Sequence, residues 1–135
     1  MIPRHNTEPE ITRDAGGFVV TDRWECYGDG FVLHVFAGFH TDLASVPRIF
    51  WPLLSLVDLG FGAPIAHDFL YQCGGVPPIG TCYPSAKRFT RREIDLLFSD
   101  LMAEFGVVPW RRRLAWSAVR LCGWAAFRGR PSELE

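Results

Sequence analysis

The stretch APIAHDFLYQ, residues 63–72, places three polar side chains that can do chemistry inside an otherwise apolar run. On a helix that turns about 100° per residue, His67, Asp68 and Tyr71 fall within one arc of about 100°. An imidazole whose one nitrogen is fixed by a partner can act as a base near neutral pH. The same side chains can instead form a buried hydrogen-bonded network without a catalytic role. The stretch therefore predicts either a reaction centre or a structural network.

Asp95 is the expected partner of the histidine. It lies on a predicted helix. The spacing of Thr90 and Glu93 is that of a capping box and predicts that this helix begins after Thr90. The helical arithmetic puts Asp95 at the edge of the apolar stripe of this helix, with Arg91 inside the stripe. We therefore expect Asp95 to be half-buried and to need a donor, for which an imidazole on a neighbouring antiparallel helix is suited.

The resulting hypothesis assigns a role to each of these side chains. His67 would be the base, Asp95 would orient it, and Tyr71 would brace it with its hydroxyl group. Asp68 points a carboxylate at the same space and is a candidate metal ligand.

Asp42 is the second candidate metal ligand. It lies in GFHTDLASVPR, residues 38–48, where several side chains can bond neighbouring backbone groups. Asp42, with loop carbonyls, could complete an oxygen-rich site beside Asp68, of the kind that holds a divalent cation such as Ca²⁺. The alternative is that residues 38–48 only connect a strand to a helix.

The composition indicates one globular domain over residues 1–135, with 48% hydrophobic and 21% charged residues. Four cysteines show no paired spacing that would indicate a zinc site. Cys73 and Cys82 lie in one loop and could pair under oxidising conditions, but we expect reduced thiols. We expect no signal peptide and no transmembrane segment, because the N-terminus lacks the signal pattern and no apolar run is long enough.

The charge is distributed unevenly, although the net charge is −1. Residues 1–68 hold nine acidic and four basic side chains, whereas residues 69–135 hold six and ten. The last predicted helix, WRRRLAWSAVRLCGWAAF, combines arginine with tryptophan, as interfacial membrane helices do. A phospholipid or membrane surface is therefore one candidate partner. We expect no nucleic acid, because no recognised binding motif accompanies the arginines.

The alternative for this last helix is an ordinary packing role. Its apolar side chains would then form a core stripe flanked by the arginines. The stripe consists of Leu114, Ala118, Leu121 and Ala125.

The elements that must position these residues are predicted in the order strands, then helices. Residues 1–15 form an extended arm, and residues 16–40 form a β region whose hairpin turns at the Asp-Gly pair 29–30. Residues 41–128 are helical, with an irregular loop over 73–89. The expected fold class is α+β, a β-hairpin or small antiparallel sheet followed by about four helices.

Four motifs in this order resemble an uncharacterised family of small phage and prophage proteins, a domain of unknown function. They are GFHTDLASVPR, AHDFLY, TRREIDLLF and AVRLCGW, and they run from about Gly38 to Trp124. The resemblance implies a phage or prophage origin and no known activity. It places the protein in the host bacterial cytoplasm or on the virion, with phage structural proteins as candidate partners.

A second, local resemblance is to the catalytic helices of the phospholipase A-two family, especially its small bacterial members. AHDFLYQ followed by REIDLLFSDLM is similar to their paired helices. The resemblance implies that His67 activates water, Asp68 binds Ca²⁺, and Tyr71 and Asp95 hold the histidine. This chain departs from that family in lacking its glycine-rich calcium loop and paired disulfides, and in its β-rich N-terminal half.

Two functions follow as hypotheses. The first is a phage-encoded metal-dependent hydrolase, acting on an ester, with phospholipid ranked first. The alternative is a non-enzymatic phage tail, assembly or accessory protein in which the His-Asp-Tyr-Asp cluster is a structural network.

Overall fold

The strands precede the helices along the chain, and the expected α+β class is confirmed. A computed structural model describes residues 6–14, 16–41, 62–125 and 127. Within these residues the chain forms two three-stranded antiparallel sheets and three α-helices. Residues 42–61 of the predicted helical region, which include Asp42, lie outside the described residues.

The first sheet has the strand order β1-β2-β5. Its strands are β1 (Ile11–Asp14), β2 (Gly17–Val20) and β5 (His40–Thr41). In the register of the sheet, Phe18 of β2 lies opposite Thr41 of β5. The strand β1 lies within the expected arm, so this part of the arm is extended but paired. Its Ile-Thr pair favours a strand, and β2 offers a matching partner.

The second sheet is built on the expected hairpin. Strands β3 (Trp24–Gly28) and β4 (Phe31–Val35) are joined by the Asp-Gly pair 29–30, in which Gly30 has a φ of +81°. The loop 73–89 is not entirely irregular, because it contributes β6 (Cys82–Tyr83), which pairs with β4. A two-residue strand carries too little pattern to be recognised in a Gly- and Pro-rich segment.

Helix α1 (Gly62–Gln72) is the central element of the helical half. Residues 62–71 are all buried, so α1 is covered on every side. Helix α2 (Arg91–Glu104) begins at the predicted capping box, in which Thr90 and Glu93 each bond the other's backbone N–H.

Helix α3 (Pro109–Cys122) is shorter than expected and turned differently. Gly123 ends it, and a 3₁₀ turn follows over Gly123–Ala125. The buried face consists of Ala115, Ala118 and Val119. The expected core stripe is therefore wrong at Leu121, which is 75% exposed. The small side chains of the buried face let α3 approach its neighbours closely. A buried face that included leucine would pack α3 farther from them.

The N-terminal arm is anchored to the fold from Asn6 onward. Asn6 donates to both carboxylate oxygens of Glu104, at 2.6 Å from its backbone N and 3.0 Å from Nδ2. It also exchanges hydrogen bonds with the backbone of Tyr27. The carboxylate of Glu8 accepts from the backbone N of Gly62 at 2.8 Å, where a negative charge suits the start of a helix.

The four cysteines are free thiols in this structure, and burial raises the pKa of the Cys26 thiol to about 12. In the described part of the chain, no helix has the length and apolar character needed to cross a membrane.

Candidate functional site

Packing of α1 against α2 brings three of the predicted site residues together. Nε2 of His67 lies 2.7 Å from Oδ1 of Asp95, and the hydroxyl of Tyr71 donates to the same oxygen at 2.6 Å. The imidazole and phenol rings are tilted by 33° to each other with centroids 4.0 Å apart, as expected of residues four apart on one helix. The geometry assumed for these three residues from the sequence is therefore present.

Two arginines complete the cluster, and their roles were not predicted. Nη1 of Arg120, on α3, donates to the second oxygen of Asp95 at 2.8 Å. Nε of Arg91 donates to the hydroxyl of Tyr71 at 3.1 Å. The sequence predicted that Arg91 lies inside the apolar stripe of α2. A charged side chain at such a position indicates that hydrogen-bond acceptors lie nearby.

The acceptors that hold Arg91 are backbone carbonyls. Its Nη2 donates to the carbonyl oxygens of Val119 at 2.7 Å and Arg120 at 2.6 Å, near the end of α3. The last carbonyls of a helix have no partner within the helix, and a guanidinium suits the negative end of the helix dipole. Arg91 therefore ties α2 to both α1 and α3.

Asp68 lies on the other side of the imidazole. Its Oδ1 lies 3.6 Å from Nδ1 of His67, and its Oδ2 accepts a short hydrogen bond from the hydroxyl of Thr41 at the end of β5. The two ring nitrogens of His67 thus face two different carboxylates. Asp42, the second candidate metal ligand, lies outside the described residues, so its expected place beside Asp68 stays a prediction.

The cluster is buried except at Arg120, whose side chain is 18% exposed. His67 is 1% exposed, Asp68 is 4% exposed, and Asp95, expected to be half-buried, is 0% exposed. Among the described residues, every buried polar side-chain atom has a hydrogen-bond partner. Because the polar groups satisfy one another, the cluster avoids the cost of unpaired buried polarity.

The buried charges shift the pKa values of the two central groups in opposite directions. Burial lowers the pKa of His67, but the hydrogen bonds and charges of Asp68 and Asp95 outweigh burial and raise it. Burial raises the pKa of Asp95, but the interactions with His67, Tyr71 and Arg120 outweigh burial and lower it. Both shifts favour an imidazolium–carboxylate pair.

Burial also raises the pKa of Tyr71, and the neighbouring carboxylate of Asp95 raises it further. The phenol is therefore a fixed hydrogen-bond donor at ordinary pH.

The described residues alone do not form a calcium site. Ca²⁺ takes about six to eight oxygen ligands, whereas Asp68 supplies one carboxylate, one of whose oxygens is bonded to Thr41. Over residues 6–14, 16–41, 62–125 and 127, no group of three or more His, Cys, Asp or Glu side chains is arranged to hold a metal ion.

A separate open cleft of about 1330 Å³ lies between the β3–β4 hairpin and α2. Its polar lining includes Glu25, His34, Asp100 and Glu104. The cluster around His67 is not part of this lining.

The imidazole of His67 lies between the carboxylates of Asp95 and Asp68. Asp95 takes one ring nitrogen and is itself fixed by a phenol and a guanidinium, so the imidazole has a single orientation. The other ring nitrogen points towards Asp68 and Thr41. A histidine oriented in this way can exchange a proton at Nδ1.

The sequence model of a family described as "Protein of unknown function (DUF1353)" matches residues 18–119. The chain belongs to this family. The DUF1353 match spans His67, Asp68, Tyr71, Arg91 and Asp95 and ends one residue before Arg120. The match confirms the predicted membership of an uncharacterised family. It indicates neither an activity nor a source organism. No curated protein and no solved structure matches the chain.

Proposed function

We propose that this DUF1353 protein hydrolyses carboxylic esters, with His67 as the general base and phospholipids as the first substrate class to test. The proposal is carried by one observation: Asp95 holds Nε2 of His67 at 2.7 Å, while Nδ1 lies 3.6 Å from Oδ1 of Asp68. A carboxylate that fixes one nitrogen of an imidazole leaves the other nitrogen to move a proton.

In the proposed reaction, neutral His67 accepts a proton at Nδ1 from a water molecule. The water oxygen forms a bond to the ester carbonyl carbon, whose π electrons move to the carbonyl oxygen. When this tetrahedral intermediate collapses, the bond to the alkoxide breaks and His67 returns the proton to it. One ester and one water give one acid and one alcohol, and the imidazole ends neutral.

The other members of the cluster act through His67 and are positioning residues. Asp95 fixes the ring and stabilises the imidazolium that forms during the reaction. Tyr71 and Arg120 each donate to Asp95, one to each oxygen, and so fix the carboxylate plane. Because the pKa of His67 is raised, the base form increases as pH rises, and we expect hydrolysis to increase with pH above the ordinary histidine value of 6.5.

The decisive variant is His67→Gln. A glutamine amide nitrogen can take the place of Nε2 and keep a hydrogen bond to Asp95, but no group replaces Nδ1. We expect a folded protein whose hydrolysis of a chromogenic butyrate ester and of dispersed phospholipid falls by about 10²–10⁴-fold. His40→Gln changes an exposed histidine on β5 and is the matched control. Equal hydrolysis by a folded His67→Gln variant and the wild type would contradict the proposal.

Asp95→Asn separates positioning from catalysis. The amide is the same size but does not stabilise an imidazolium, so both the rate and its dependence on pH should change. Each assay is run with Ca²⁺ and with a chelator, because the predicted role of Asp68 and Asp42 in Ca²⁺ binding rests in part on a residue outside the described segments.

Burial favours a second candidate, a non-enzymatic accessory protein in which the cluster fixes the packing of three helices. Apart from Arg120, the residues of the cluster are at most 5% exposed, which suits a structural network. In that case the wild type shows no hydrolysis, and His67→Gln or Asp95→Asn lowers the free energy of unfolding without changing any activity. We also propose a phage or prophage source, from the motif resemblance, which the genes flanking the coding sequence would test.

A further inference from the structure

The outer face of α3 carries large apolar side chains in contact with solvent. Trp110 is 58% exposed, Leu121 is 75% exposed, and Trp124, in the following 3₁₀ turn, is 63% exposed. These side chains lie away from the buried face of Ala115 and Val119. Tryptophan has an apolar body and a polar N–H group, a combination favoured where one side is apolar and the other is wet.

The charge of α3 has one sign. The helix, PWRRRLAWSAVRLC, contains four arginines and no acidic residue. One of these, Arg120, is used by Asp95, whereas the other three follow Trp110 at the start of the helix. The guanidinium of Arg111 lies over the ring of Trp110, 4.8 Å from its centre. Such a face complements a negatively charged surface.

A cleft of about 300 Å³ adjoins the start of α3. It is lined by Ser99 of α2 and by Pro109, Arg112, Arg113 and Trp116 of α3. Arg112 is held in place by a hydrogen bond of 3.0 Å from its Nε to the carbonyl oxygen of Val107. Two guanidinium groups and a hydroxyl are the donors that bind a phosphate group.

We propose that this face of α3 binds the surface of an anionic phospholipid bilayer, with Trp110, Leu121 and Trp124 at headgroup level and a lipid phosphate in the arginine cleft. Exposed apolar side chains and arginines on the same helix, next to a cleft lined by two guanidinium groups, favour an anionic lipid surface over a purely apolar partner. This proposal does not depend on the proposed hydrolysis, because sedimentation measures bound protein and not the product of a reaction.

The test is sedimentation of the full chain with phosphatidylcholine vesicles, with and without phosphatidylglycerol. We expect binding to the anionic vesicles only, weakened by added salt. Arg113→Glu should weaken this binding by roughly tenfold or more. The double variant Trp110→Ala/Trp124→Ala should weaken it similarly, because it removes the side chains placed at the headgroups.

Two exposed residues on other faces provide matched controls. Arg92→Glu reverses a charge on α2, and Ile79→Ala removes an apolar side chain that is fully exposed in the loop after α1. Both should bind vesicles as the wild type does, and circular dichroism should show that every variant is folded.

Three results would overturn the proposal. The first is equal binding to both vesicle types or to neither. The second is binding of inorganic phosphate without binding of vesicles, which would leave the cleft as a site for a free anion only. The third is a dimer in lipid-free solution that the double tryptophan variant dissociates, which would assign the face to a second copy of the chain.

Discussion

Nη1 of Arg120 lies 2.8 Å from Oδ2 of Asp95, so α3 supplies a positive charge to a carboxylate that is wholly buried in α2. A buried carboxylate without such a partner would be protonated or would destabilise the fold. Since the other oxygen of Asp95 serves His67 and Tyr71, the same carboxylate joins all three helices. Whatever the cluster does, its geometry depends on the docking of α3.

Arg91→Lys should destabilise the protein by about 3 kcal/mol. A lysine keeps the charge but cannot reach the hydroxyl of Tyr71 and two backbone carbonyls at once, so buried acceptors lose their donor. Urea unfolding followed by circular dichroism measures the change. The neighbouring Arg92 is exposed, and Arg92→Lys should stay within about 0.5 kcal/mol of the wild type. Similar losses for the two variants would refute the bridging role of Arg91.

Gly75→Ala should be far more destabilising than Gly80→Ala. Both glycines have positive φ, +80° and +85°, so both variants have the same backbone strain of about 1–2 kcal/mol. A Cβ at Gly75 would lie 1.9 Å from the carbonyl oxygen of Phe89, whereas a Cβ at Gly80 would meet nothing within 4 Å. The difference between their thermal unfolding temperatures isolates the clash. Equal unfolding temperatures would show that the loop does not hold Phe89 against Gly75.

Thr41→Val should lower the free energy of unfolding by about 1–3 kcal/mol. The valine has nearly the same shape but lacks the hydroxyl that donates to the buried carboxylate of Asp68. Thr41→Ser keeps the hydroxyl and should recover most of the loss, which chemical denaturation can measure. A valine variant as stable as the wild type would contradict the stabilising role of this hydrogen bond.

The stability of the metal-free protein should depend on pH through His67 and Asp95. The folded-state pKa of His67 is raised above 6.5, so its contribution is complete below that pH and is lost as pH rises through the folded-state value. The folded-state pKa of Asp95 is lowered below 3.8, so its contribution is complete above that pH and is lost as pH falls through the folded-state value. The His67–Asp95 pair therefore stabilises the folded protein most between about pH 4 and 6.5.

Unfolding in a chelator-containing buffer between pH 5 and 9 tests the upper limit of this window. The wild type should lose stability as pH rises, and His67→Gln should lose less, because it no longer carries the imidazole. Parallel curves for the two proteins would show that His67 titrates at its ordinary pKa.

The sequence was informative where the structural cause is local. The capping box at Thr90 and the turn at residues 29–30 each depend on a few adjacent residues, and both were predicted correctly. The His67–Asp95 pair was also predictable, because helical geometry puts each side chain on a face that needs a partner. In these cases the types and spacing of a few residues are enough to predict the local structure or the contact.

Other features depend on contacts that adjacent residues do not encode. The burial of Arg91 was foreseen, but its acceptors are carbonyls 28 and 29 residues away. The buried face of α3 is made of small side chains. The apolar pattern alone therefore wrongly predicted that Leu121 belongs to this face. The anchoring of Asn6 by Glu104 joins residues 98 apart, and no local pattern points to it.

The link from Arg91 to the end of α3 also has a consequence for the order in which the protein folds. The capping box of α2 closes between residues three apart, so it can form while the rest of the chain is still unfolded. The cluster needs residues from β5 and from all three helices, and the entropy of closing these long loops must be overcome before any of its bonds is made. We therefore expect the polar centre to form late in folding, and a chain truncated before α3 to keep the start of α2 but not the polar cluster.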